Sequence, residues 1–292
     1  MSDASAPIPM IAGLSSIADR YDVILCDIWG VLHDGVRAFP ETGEALSRFR
    51  AKGGTVILVS NAPRPGSDVL LLLDRLGARR DAYDHIVTSG DVTRRSIETR
   101  LGQPLFHLGP DRDEPLFRDL AVRRVGLEEA GYVVLTGLLD DDHERPEDYH
   151  DRLAAMRARS LPMICANPDL VVERGHRLVY CAGSLAALYE SMGGEVIYAG
   201  KPHRPIYEAA LDLAKISRNE PIDLARTLAV GDAIRTDITG ARAVGMDALF
   251  VTRGIHAREF TDARGIHDDA ALARWIAEQS VHPTMMTEMV VW

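Results

Sequence analysis

The chain has few cysteines and no long apolar run. Only three of its 292 residues are cysteines, at positions 26, 165 and 181, which are far apart and lie in apolar segments. This usage predicts buried thiols and excludes a disulfide framework or a cysteine-based zinc site. The leucine-rich segment VLLLLDRLG is too short to cross a membrane and carries charge. The first ten residues, MSDASAPIPM, lack the basic and apolar regions of an export signal, so we expect a cytoplasmic protein without a membrane partner.

Positive charge is also in deficit. The chain carries 33 basic and 43 acidic residues, a formal net charge of −10. This balance argues against a nucleic-acid backbone or an anionic membrane as the main partner. An anionic substrate stays compatible with it, because a bound divalent cation reverses the sign of the charge locally. The sequence shows neither an internal repeat nor a low-complexity tract, and its 46% hydrophobic content is that of an ordinary globular protein.

Apolar runs typical of strands alternate with helical patterns along the chain. This alternation predicts an α/β fold, a Rossmann-like parallel sheet with helices on both faces and right-handed crossovers. The predicted strands are 23–28, 55–60, 85–88, 104–108, 132–137, 162–166, 195–200, 227–231 and 247–251. The predicted helices are 11–20, 40–52, 67–76, 91–101, 147–159, 182–192, 205–216, 236–244 and 269–279. The methionines of the tail are expected to pack on the core or on a partner chain.

One segment, ILCDIWGVLHDG at residues 24–35, is the most informative. Its apolar run ends abruptly at Asp27, and Gly30 follows three residues later. A buried strand that delivers a carboxylate at its C-terminal end and then turns on glycine is how an α/β protein presents a nucleophile or a metal ligand. Two more apolar runs end in polar residues, VILVSNA at Ser60 and Asn61, and TLAVGDAIRTD at Asp232. Together they predict an acid, a hydroxyl and an acid on one edge of a parallel sheet.

The spacing of the candidate site residues indicates two domains. About 140 residues separate Ser60 from Lys201, and that interval is itself rich in strands and helices. A chain of 292 residues is comfortable for two domains. We therefore expect a core domain formed by residues 1–80 and 197–292, with a second α/β domain inserted at 81–196.

Four short segments carry a family resemblance. They are Asp27 to Val31, Ser60-Asn61, Gly200-Lys201-Pro202, and Gly231-Asp232 with Asp237 five residues on. In this order they resemble the haloacid dehalogenase (HAD) superfamily, and most of all its NagD-type nucleotide and sugar phosphatases and its phosphoglycolate and pyridoxal phosphatases. The stretches GKPHRPIYEAAL and GDAIRTDITGARAVG are specific to this likeness, and ANPD and AGSLAALYE look like that subfamily's cap. The resemblance covers most of the chain and implies that the inserted domain is a cap.

The resemblance implies a metal-dependent phosphatase. Asp27 would attack phosphorus and form an aspartyl-phosphate. Mg²⁺ would relieve the repulsion between the two anions, held by Asp27, Asp232 and the backbone carbonyl of Trp29. Asp237 would be an outer acid that orients a metal-bound water or Lys201.

The same resemblance assigns the phosphate contacts. Ser60 and backbone amides near Asn61 would hold phosphate oxygens, and Lys201 would neutralise charge on the nucleophile and on the transferring phosphoryl group. The substrate would be a small phosphorylated metabolite, chosen by residues of the cap. Because relatives often pair through their caps, a homodimer is expected as well.

Trp29 departs from the family's pattern. The family's phosphatases carry a second aspartate two residues after the nucleophile, which protonates the leaving oxygen and later activates water. An indole donates a hydrogen bond but cannot shuttle a proton at neutral pH, and general acid–base catalysis is typically worth about 10²–10⁴-fold in rate. Either His33 or Asp34 could replace the missing acid, although Asp34 followed by glycine also fits a plain turn.

Three functional hypotheses follow from this departure. The first is a Mg²⁺-dependent phosphomonoester hydrolase that acts on a small metabolite. The second is a phosphatase restricted to good leaving groups, which need little protonation as they depart. The third is a sensor or regulatory subunit that binds a phosphorylated ligand without turning it over.

Four residues near these segments have open roles. Arg64 follows the predicted phosphate loop and could reach a substrate anion. Asn167 and Asp169 either belong to the substrate loop of the cap or form a structural Asn-Pro-Asp turn. His203 either touches the substrate or only decorates the start of a helix.

Overall fold

Short strands alternate with helices along most of the chain, as the apolar pattern predicts. The computed structural model describes residues 8–174, 177–262 and 267–292. The strands are β1 (Val23–Cys26), β2 (Thr55–Ser60), β3 (His85–Thr88), β4 (Leu105–Leu108), β5 (Tyr132–Leu135), β6 (Met163–Cys165), β7 (Val171–Arg174), β8 (Arg177–Tyr180), β9 (Val196–Tyr198), β10 (Thr227–Gly231), β11 (Asp247–Val251) and β12 (Met285–Thr287). The α-helices are α1 (Pro40–Ala51), α2 (Gly66–Leu76), α3 (Ser89–Glu98), α4 (His150–Ala158), α5 (Ala182–Ser191), α6 (Arg204–Arg218), α7 (Thr239–Val244) and α8 (Asp269–Ala277). Within the three described ranges, no helix combines the length and apolar character that a membrane crossing needs.

The described residues fall into two compact units. The first takes its residues from 1–58, 76–85 and 210–292, and the second from 59–75 and 86–209. One sheet has six strands in the order β12-β11-β10-β1-β2-β3, and another has four in the order β4-β5-β6-β9. In the four-stranded sheet all pairs are parallel, and β1, β2, β10, β11 and β12 pair in parallel in the larger one. The predicted α/β fold with parallel, helix-flanked sheets is therefore confirmed.

Strand β1 is a central strand of the larger sheet. It pairs with β10 on one side and with β2 on the other, and Cys26 lies level with Val230 and Leu58. Every residue of β1 and of β10 is buried. Burial on both faces explains why these strands are continuous apolar runs without polar alternation. Because the strands are parallel, the residues that follow them share one edge of the sheet.

Strand β5 buries its side chains on both faces of the four-stranded sheet. Val133 and Leu135 belong to one apolar cluster, whereas Tyr132 and Val134 belong to another. Successive side chains of a strand point to opposite faces. The two clusters are therefore the two apolar layers that cover this sheet, as parallel sheets require.

Residues 11–20 do not form the predicted amphipathic helix. Two 3₁₀ turns stand there, Leu14–Ser16 and Ala18–Arg20, and Ile17 between them has φ of −126°, outside the helical region. The amide of Leu14 donates to the carbonyl of Val291 at 2.7 Å. This contact with a distant part of the chain holds the segment in a form that local periodicity does not encode.

Three short strands of the structure are missing from the sequence-based prediction. Strands β7 and β8 form an antiparallel hairpin, and β12 in the tail pairs in parallel with β11. Each is only three or four residues long, too short for periodicity to identify. Met285 and Met286 of β12 are buried, so these two tail methionines pack on the core.

Asp113 is a buried carboxylate of the second unit. It lies in the 3₁₀ helix Asp111–Phe117 and is 2% exposed. Burial raises its pKa from 3.8 to about 6, against the opposing effects of the Arg112 and Arg64 cations and a hydrogen bond with Thr136. Because the pKa is higher in the folded than in the unfolded state, ionisation destabilises the fold. This penalty is complete above the folded-state pKa and disappears as the pH falls towards the unfolded-state value.

Replacing Asp113 with Asn should remove this pH dependence. The free energy of unfolding of Asp113→Asn minus that of the wild type should be about 1 kcal/mol larger at pH 8 than at pH 5. Each pKa unit corresponds to about 1.4 kcal/mol, and the penalty in the wild type grows over this pH range. Urea unfolding at the two pH values measures the difference. Asp111→Asn, an exposed neighbour in the same turn, is the control and should leave the difference unchanged. Parallel pH profiles of wild type and Asp113→Asn would contradict the penalty.

Candidate active site

Three buried carboxylates meet in the first unit. Asp27, Asp232 and Asp237 each place a carboxylate oxygen so that the three atoms lie within 4.8 Å of one another. The three residues are 8%, 5% and 4% exposed, respectively. Negative charges this close repel one another strongly where water is scarce. The cluster is therefore a place where a cation would be stabilised.

Strand pairing puts two of these carboxylates side by side. Asp27 is the first residue after β1, and Asp232 is the first after β10. The two strands are parallel neighbours, with Cys26 level with Val230. The amide of Asp27 donates to the carbonyl of Val230 at 2.8 Å, so the ladder of backbone hydrogen bonds reaches the carboxylate-bearing residue itself.

Asp237 reaches the cluster from a π-helical segment. Residues Ile234–Ile238 wind as a π-helix before α7 begins, where the sequence predicts an α-helix from residue 236. The amide of Asp237 donates to the carbonyl of Ala233 at 3.0 Å, and its carboxylate accepts from the amide of Ala233 at 3.3 Å. This reciprocal pair fixes the side chain at the start of the helix. π-Helical turns are rare and frequently lie at functional sites.

Glycines stand where the carboxylates leave no room for a side chain. A Cβ on Gly30 would lie 1.9 Å from Oδ2 of Asp232, and a Cβ on Gly254 would lie 2.1 Å from the same atom. A Cβ on Gly231 would lie 2.1 Å from Cγ of Asp237. Gly30 also has φ of +86°, a conformation that favours glycine. The close approach of backbone to carboxylate thus requires glycine at all three positions.

Sequence reasoning missed the segment that follows β11. The amide of Ile255 donates to Oδ2 of Asp232 at 2.8 Å, next to the contact made by Gly254. This hydrogen bond orients the carboxylate of Asp232. A signal was present, because a glycine three residues after an apolar strand marks a turn at the edge where the other site residues are predicted.

The donor set fits a hard divalent cation. The three aspartates offer carboxylate oxygens, which Mg²⁺ and Ca²⁺ prefer over the nitrogen and sulfur ligands typical of zinc or copper. Oxygens within 4.8 Å of one another are compatible with a single ion at metal–oxygen distances of about 2.0–2.6 Å. The division of roles, with Asp27, Asp232 and the Trp29 carbonyl as ligands and Asp237 outside them, stays a prediction.

The turn after Asp27 packs Trp29 against His33. The centroids of the two rings lie 5.1 Å apart with an interplanar angle of 71°. On another side, a Cβ added to Gly35 would lie 2.7 Å from Cζ2 of Trp29. The indole is therefore held between an imidazole and a glycine backbone.

His33 and Asp34, the two candidates for the missing acid, have different surroundings. His33 is 1% exposed, and burial lowers its pKa to about 4. Its Nδ1 accepts from the amide of Gly35 at 2.9 Å, which assigns the single proton of the neutral ring to Nε2. Oδ1 of Asp34 accepts from the amides of Val36 and Arg37, both at 2.8 Å. Asp34 thus closes a turn with its carboxylate.

A different group of predicted site residues comes together in the second unit. Oδ1 of Asn61 accepts from the amide of Lys201 at 2.7 Å, and Nδ2 of Asn61 donates to the Lys201 carbonyl at 3.1 Å. The same Nδ2 donates to Oδ1 of Asp169 at 2.9 Å. Oδ1 of Asn167 accepts from the amide of Asp169 at 3.1 Å, so the Asn-Pro-Asp segment is a side-chain-capped turn. Lys201 is 3% exposed and is held inside the protein.

Ser60 is the last residue of β2, the strand that pairs with β1. It is 8% exposed, and its hydroxyl accepts from the amide of Ala62 at 3.2 Å. The hydroxyl therefore caps the turn that leaves the strand. An accepting hydroxyl still carries its own proton, which is the donor a phosphate oxygen would need.

Arg64 and His203 have side-chain neighbours within the second unit. Nε of Arg64 lies 3.8 Å from Oδ1 of Asp113, the buried carboxylate described above. The ring of His203 stacks on Tyr198 with centroids 4.6 Å apart and an interplanar angle of 4°. Both side chains have defined positions, and their roles towards a substrate stay predictions.

Two family models match separate parts of the chain. One, described as a haloacid dehalogenase-like hydrolase, matches residues 24–123. The other, described as HAD-hydrolase-like, matches residues 198–278. The first range contains Asp27 and Ser60, and the second contains Lys201 and Asp232.

Solved structures and sequence relatives agree with these matches. The crystal structure of a haloacid dehalogenase-like hydrolase from Brucella suis 1330 is 44% identical, with a TM-score of 0.86 over 97% of this chain and 100% of that chain. Ribonucleotide monophosphatase NagD from Escherichia coli K12 is 26% identical over 249 residues, 82% of this chain and 91% of its own. A glycerol phosphate phosphatase from Mycobacterium tuberculosis, solved in complex with calcium, shares the fold at 21% identity, with a TM-score of 0.67 over 94% of this chain and 72% of that chain. This chain belongs to the haloacid dehalogenase-like hydrolase family, within its NagD-like branch.

Proposed function

We propose that this chain hydrolyses the phosphomonoester of a small phosphorylated metabolite, with Mg²⁺ as its cofactor. The observation that carries the proposal is the cluster of Asp27, Asp232 and Asp237, whose carboxylates lie within 4.8 Å of one another. Two relatives support the reaction class, since NagD is named a ribonucleotide monophosphatase and the Mycobacterium tuberculosis protein a glycerol phosphate phosphatase. Both names describe phosphate esters of small metabolites, although the two alcohols differ.

Asp27, Asp232 and the backbone carbonyl of Trp29 would hold the cation, with Asp237 as an outer acid. When bound, Mg²⁺ neutralises the negative charge that otherwise keeps a phosphate dianion away from a carboxylate. The backbone of Gly254 and the amide of Ile255 hold the Asp232 carboxylate in place beforehand. Calcium in the Mycobacterium tuberculosis phosphatase supports a divalent cation, and Mg²⁺ is the usual partner of substrate phosphates.

Asp27 is the proposed nucleophile. One of its carboxylate oxygens forms a bond to phosphorus while the bond to the leaving oxygen breaks, which gives an aspartyl-phosphate. Water then attacks this phosphorus, and inorganic phosphate leaves as the carboxylate is restored. Ser60 and backbone amides near Asn61 would bind phosphate oxygens, and the Lys201 ammonium would balance the charge of the transferring group.

Trp29 sets the expected limit of the reaction. Its indole N–H donates a hydrogen bond but does not release a proton to the departing oxygen. His33 is neutral at pH 7 and Asp34 closes a turn, so neither has the setting of an acid aimed at a leaving group. Leaving oxygens of low pKa need no proton, and Trp29 would therefore favour aryl and acyl phosphates. Binding of a phosphorylated ligand without turnover is the alternative that the same tryptophan supports.

The resemblance to NagD-type phosphatases supports two further parts of the proposal. The inserted segment at 81–196 would be the cap whose residues select the substrate. A homodimer would be the assembly. Both stay predictions.

Asp27→Asn should abolish hydrolysis, because a neutral amide oxygen is a poor nucleophile for phosphorus. We expect phosphate release from a panel of metabolite phosphates to fall by about 10³-fold or more, and chelation of the metal to have a similar effect on the wild type. Asp212→Asn, an exposed position on α6, is the matched control and should retain wild-type rates. A flat panel with metal-loaded wild type would overturn the proposed hydrolase.

Trp29→Asp should restore the proton donor. We expect kcat/KM for alkyl phosphates to rise by about 10²-fold, while p-nitrophenyl phosphate changes little because its leaving group needs no proton. Rates across phosphates of graded leaving-group pKa measure the effect, and the steep slope of the wild type should flatten. Trp29→Phe removes the indole without adding an acid and should show no gain. An equal gain in both variants, or none, would remove the proposed role of position 29.

Gly254→Ala should weaken metal binding. Its Cβ would lie 2.1 Å from Oδ2 of Asp232 and must displace that carboxylate. We expect Mg²⁺ affinity, measured by calorimetry, to fall by about tenfold or more. Gly131→Ala is the matched control, because its Cβ would find its nearest neighbour at an ordinary 3.5 Å. Wild-type Mg²⁺ affinity in Gly254→Ala would contradict the role of Asp232 as a ligand.

A further inference from the structure

The side-chain amide of Asn61 is fully committed inside the protein. Its Oδ1 accepts from the Lys201 amide at 2.7 Å, and its Nδ2 donates both to the Lys201 carbonyl at 3.1 Å and to Oδ1 of Asp169 at 2.9 Å. An asparagine amide has two N–H donors, and both are used here. Asn61 is 3% exposed. Its Nδ2 therefore has no donor left for a phosphate oxygen.

The residues around the side-chain amide of Asn61 restrict it to a single position. A Cβ on Gly200 would lie 2.3 Å from Oδ1 of Asn61 and 2.8 Å from Cδ of Pro168, so the amide packs directly on the backbone before Lys201. On the other side, the carbonyl of Asp169 accepts from the amide of Gly183 at 3.1 Å, at the start of α5. Asp169 is thus fixed to a helix while its carboxylate faces Asn61.

Asp169 also decides which way the amide points. A carboxylate only accepts hydrogen bonds, so it selects the orientation with Nδ2 towards Asp169. That orientation turns Oδ1 towards the backbone N–H of Lys201. The two contacts with Lys201, one on its amide and one on its carbonyl, then hold the peptide units on either side of this residue.

We propose that Asn61 and Asp169 are positioning residues for Lys201, and that the Asn61 side chain does not itself bind phosphate. Asn61 grips the backbone of Lys201 at both polar atoms, and Asp169 locks the amide that does so. The inference rests on the proposed function, since it assumes that Lys201 acts on a phosphoryl group. Asn61 and Asp169 then share one task. A charge exchange can break the hydrogen bond between them and restore it with the roles of donor and acceptor reversed.

A charge exchange between the two residues tests this arrangement. Asn61→Asp places a carboxylate against Asp169 and removes the donor to the Lys201 carbonyl. We expect its affinity for inorganic phosphate, measured by calorimetry with Mg²⁺ present, to fall by about tenfold or more. In Asn61→Asp with Asp169→Asn, the new amide donates to the new carboxylate, which still accepts from the Lys201 amide. This double variant should regain at least about half of the loss on a logarithmic scale.

Two further variants separate positioning from general damage. Asn61→Ala deletes all three hydrogen bonds without a clash, so it should lose phosphate affinity and gain nothing from Asp169→Asn. Asn219→Asp, at an exposed position, is the matched control for an added charge. Mg²⁺ affinity should stay at the wild-type value in every variant. If Asn61→Asp does not fold, the comparison of Asn61→Ala with wild type decides, and an unchanged phosphate affinity overturns the proposal.

The outcomes also separate this inference from the proposed hydrolysis. With p-nitrophenyl phosphate, the positioning role predicts that kcat follows phosphate affinity through loss and rescue. Absence of rescue in the double variant would overturn the inference and leave the hydrolase intact. Absence of turnover in the wild type would remove the hydrolase, while inorganic phosphate binding in the same variants would still decide the role of Asn61 and Asp169. A wild type that binds no inorganic phosphate would overturn the inference, and turnover alone would still decide the hydrolase.

Discussion

The mutual repulsion of three buried carboxylates is the constraint on which the candidate site depends. Asp27, Asp232 and Asp237 lie within 4.8 Å of one another, a distance that their charges oppose. The fold holds them there through parallel strands, through glycines that admit the carboxylates against the backbone, and through the amide of Ile255. Local arrangements that oppose stability persist where the surrounding structure determines them, and they concentrate at functional sites. A bound cation would attract each carboxylate and so offset the repulsion between them.

Main-chain hydrogen bonds set the geometry in both groups of site residues. In the first unit, the ladder of β1 and β10 continues to the amide of Asp27, so this residue inherits the rigidity of a buried strand. In the second unit, the side-chain amide of Asn61 forms hydrogen bonds with the backbone N–H and the backbone carbonyl of Lys201, as a neighbouring strand would. Residues held in this way keep their positions without the freedom of a surface loop, and sites on such elements are more precise. The chemistry proposed for the chain needs that precision, because phosphoryl transfer relies on positioning and electrostatics.

Much of the fold could be predicted from the sequence, and the predictions that were wrong have physical causes. The buried strands of both sheets are continuous apolar runs, and their positions follow from burial on both faces. The helix predicted for residues 11–20 is wrong, because the amide of Leu14 is hydrogen-bonded to the carbonyl of Val291, almost the full chain length away. Strands β7, β8 and β12 were not predicted, because three or four residues carry too little periodicity. The π-helical segment that carries Asp237 was predicted as α-helix, because about one extra residue per turn cannot be recognised in an apolar pattern.

The sequence by itself determined which residues stand at strand ends: an apolar run that stops at Asp27 and another that stops at Asp232 place both carboxylates at one edge of any parallel sheet. It also determined the family, because the four motif segments and their order can be identified from the sequence alone. Only the tertiary structure decided what surrounds these residues. Gly254 and Ile255 reach Asp232 through the order of the strands, and Asn61 reaches Lys201 across 140 residues of chain. Such contacts depend on which strands become neighbours and how closely backbones approach, and these distances exist only once the chain is packed.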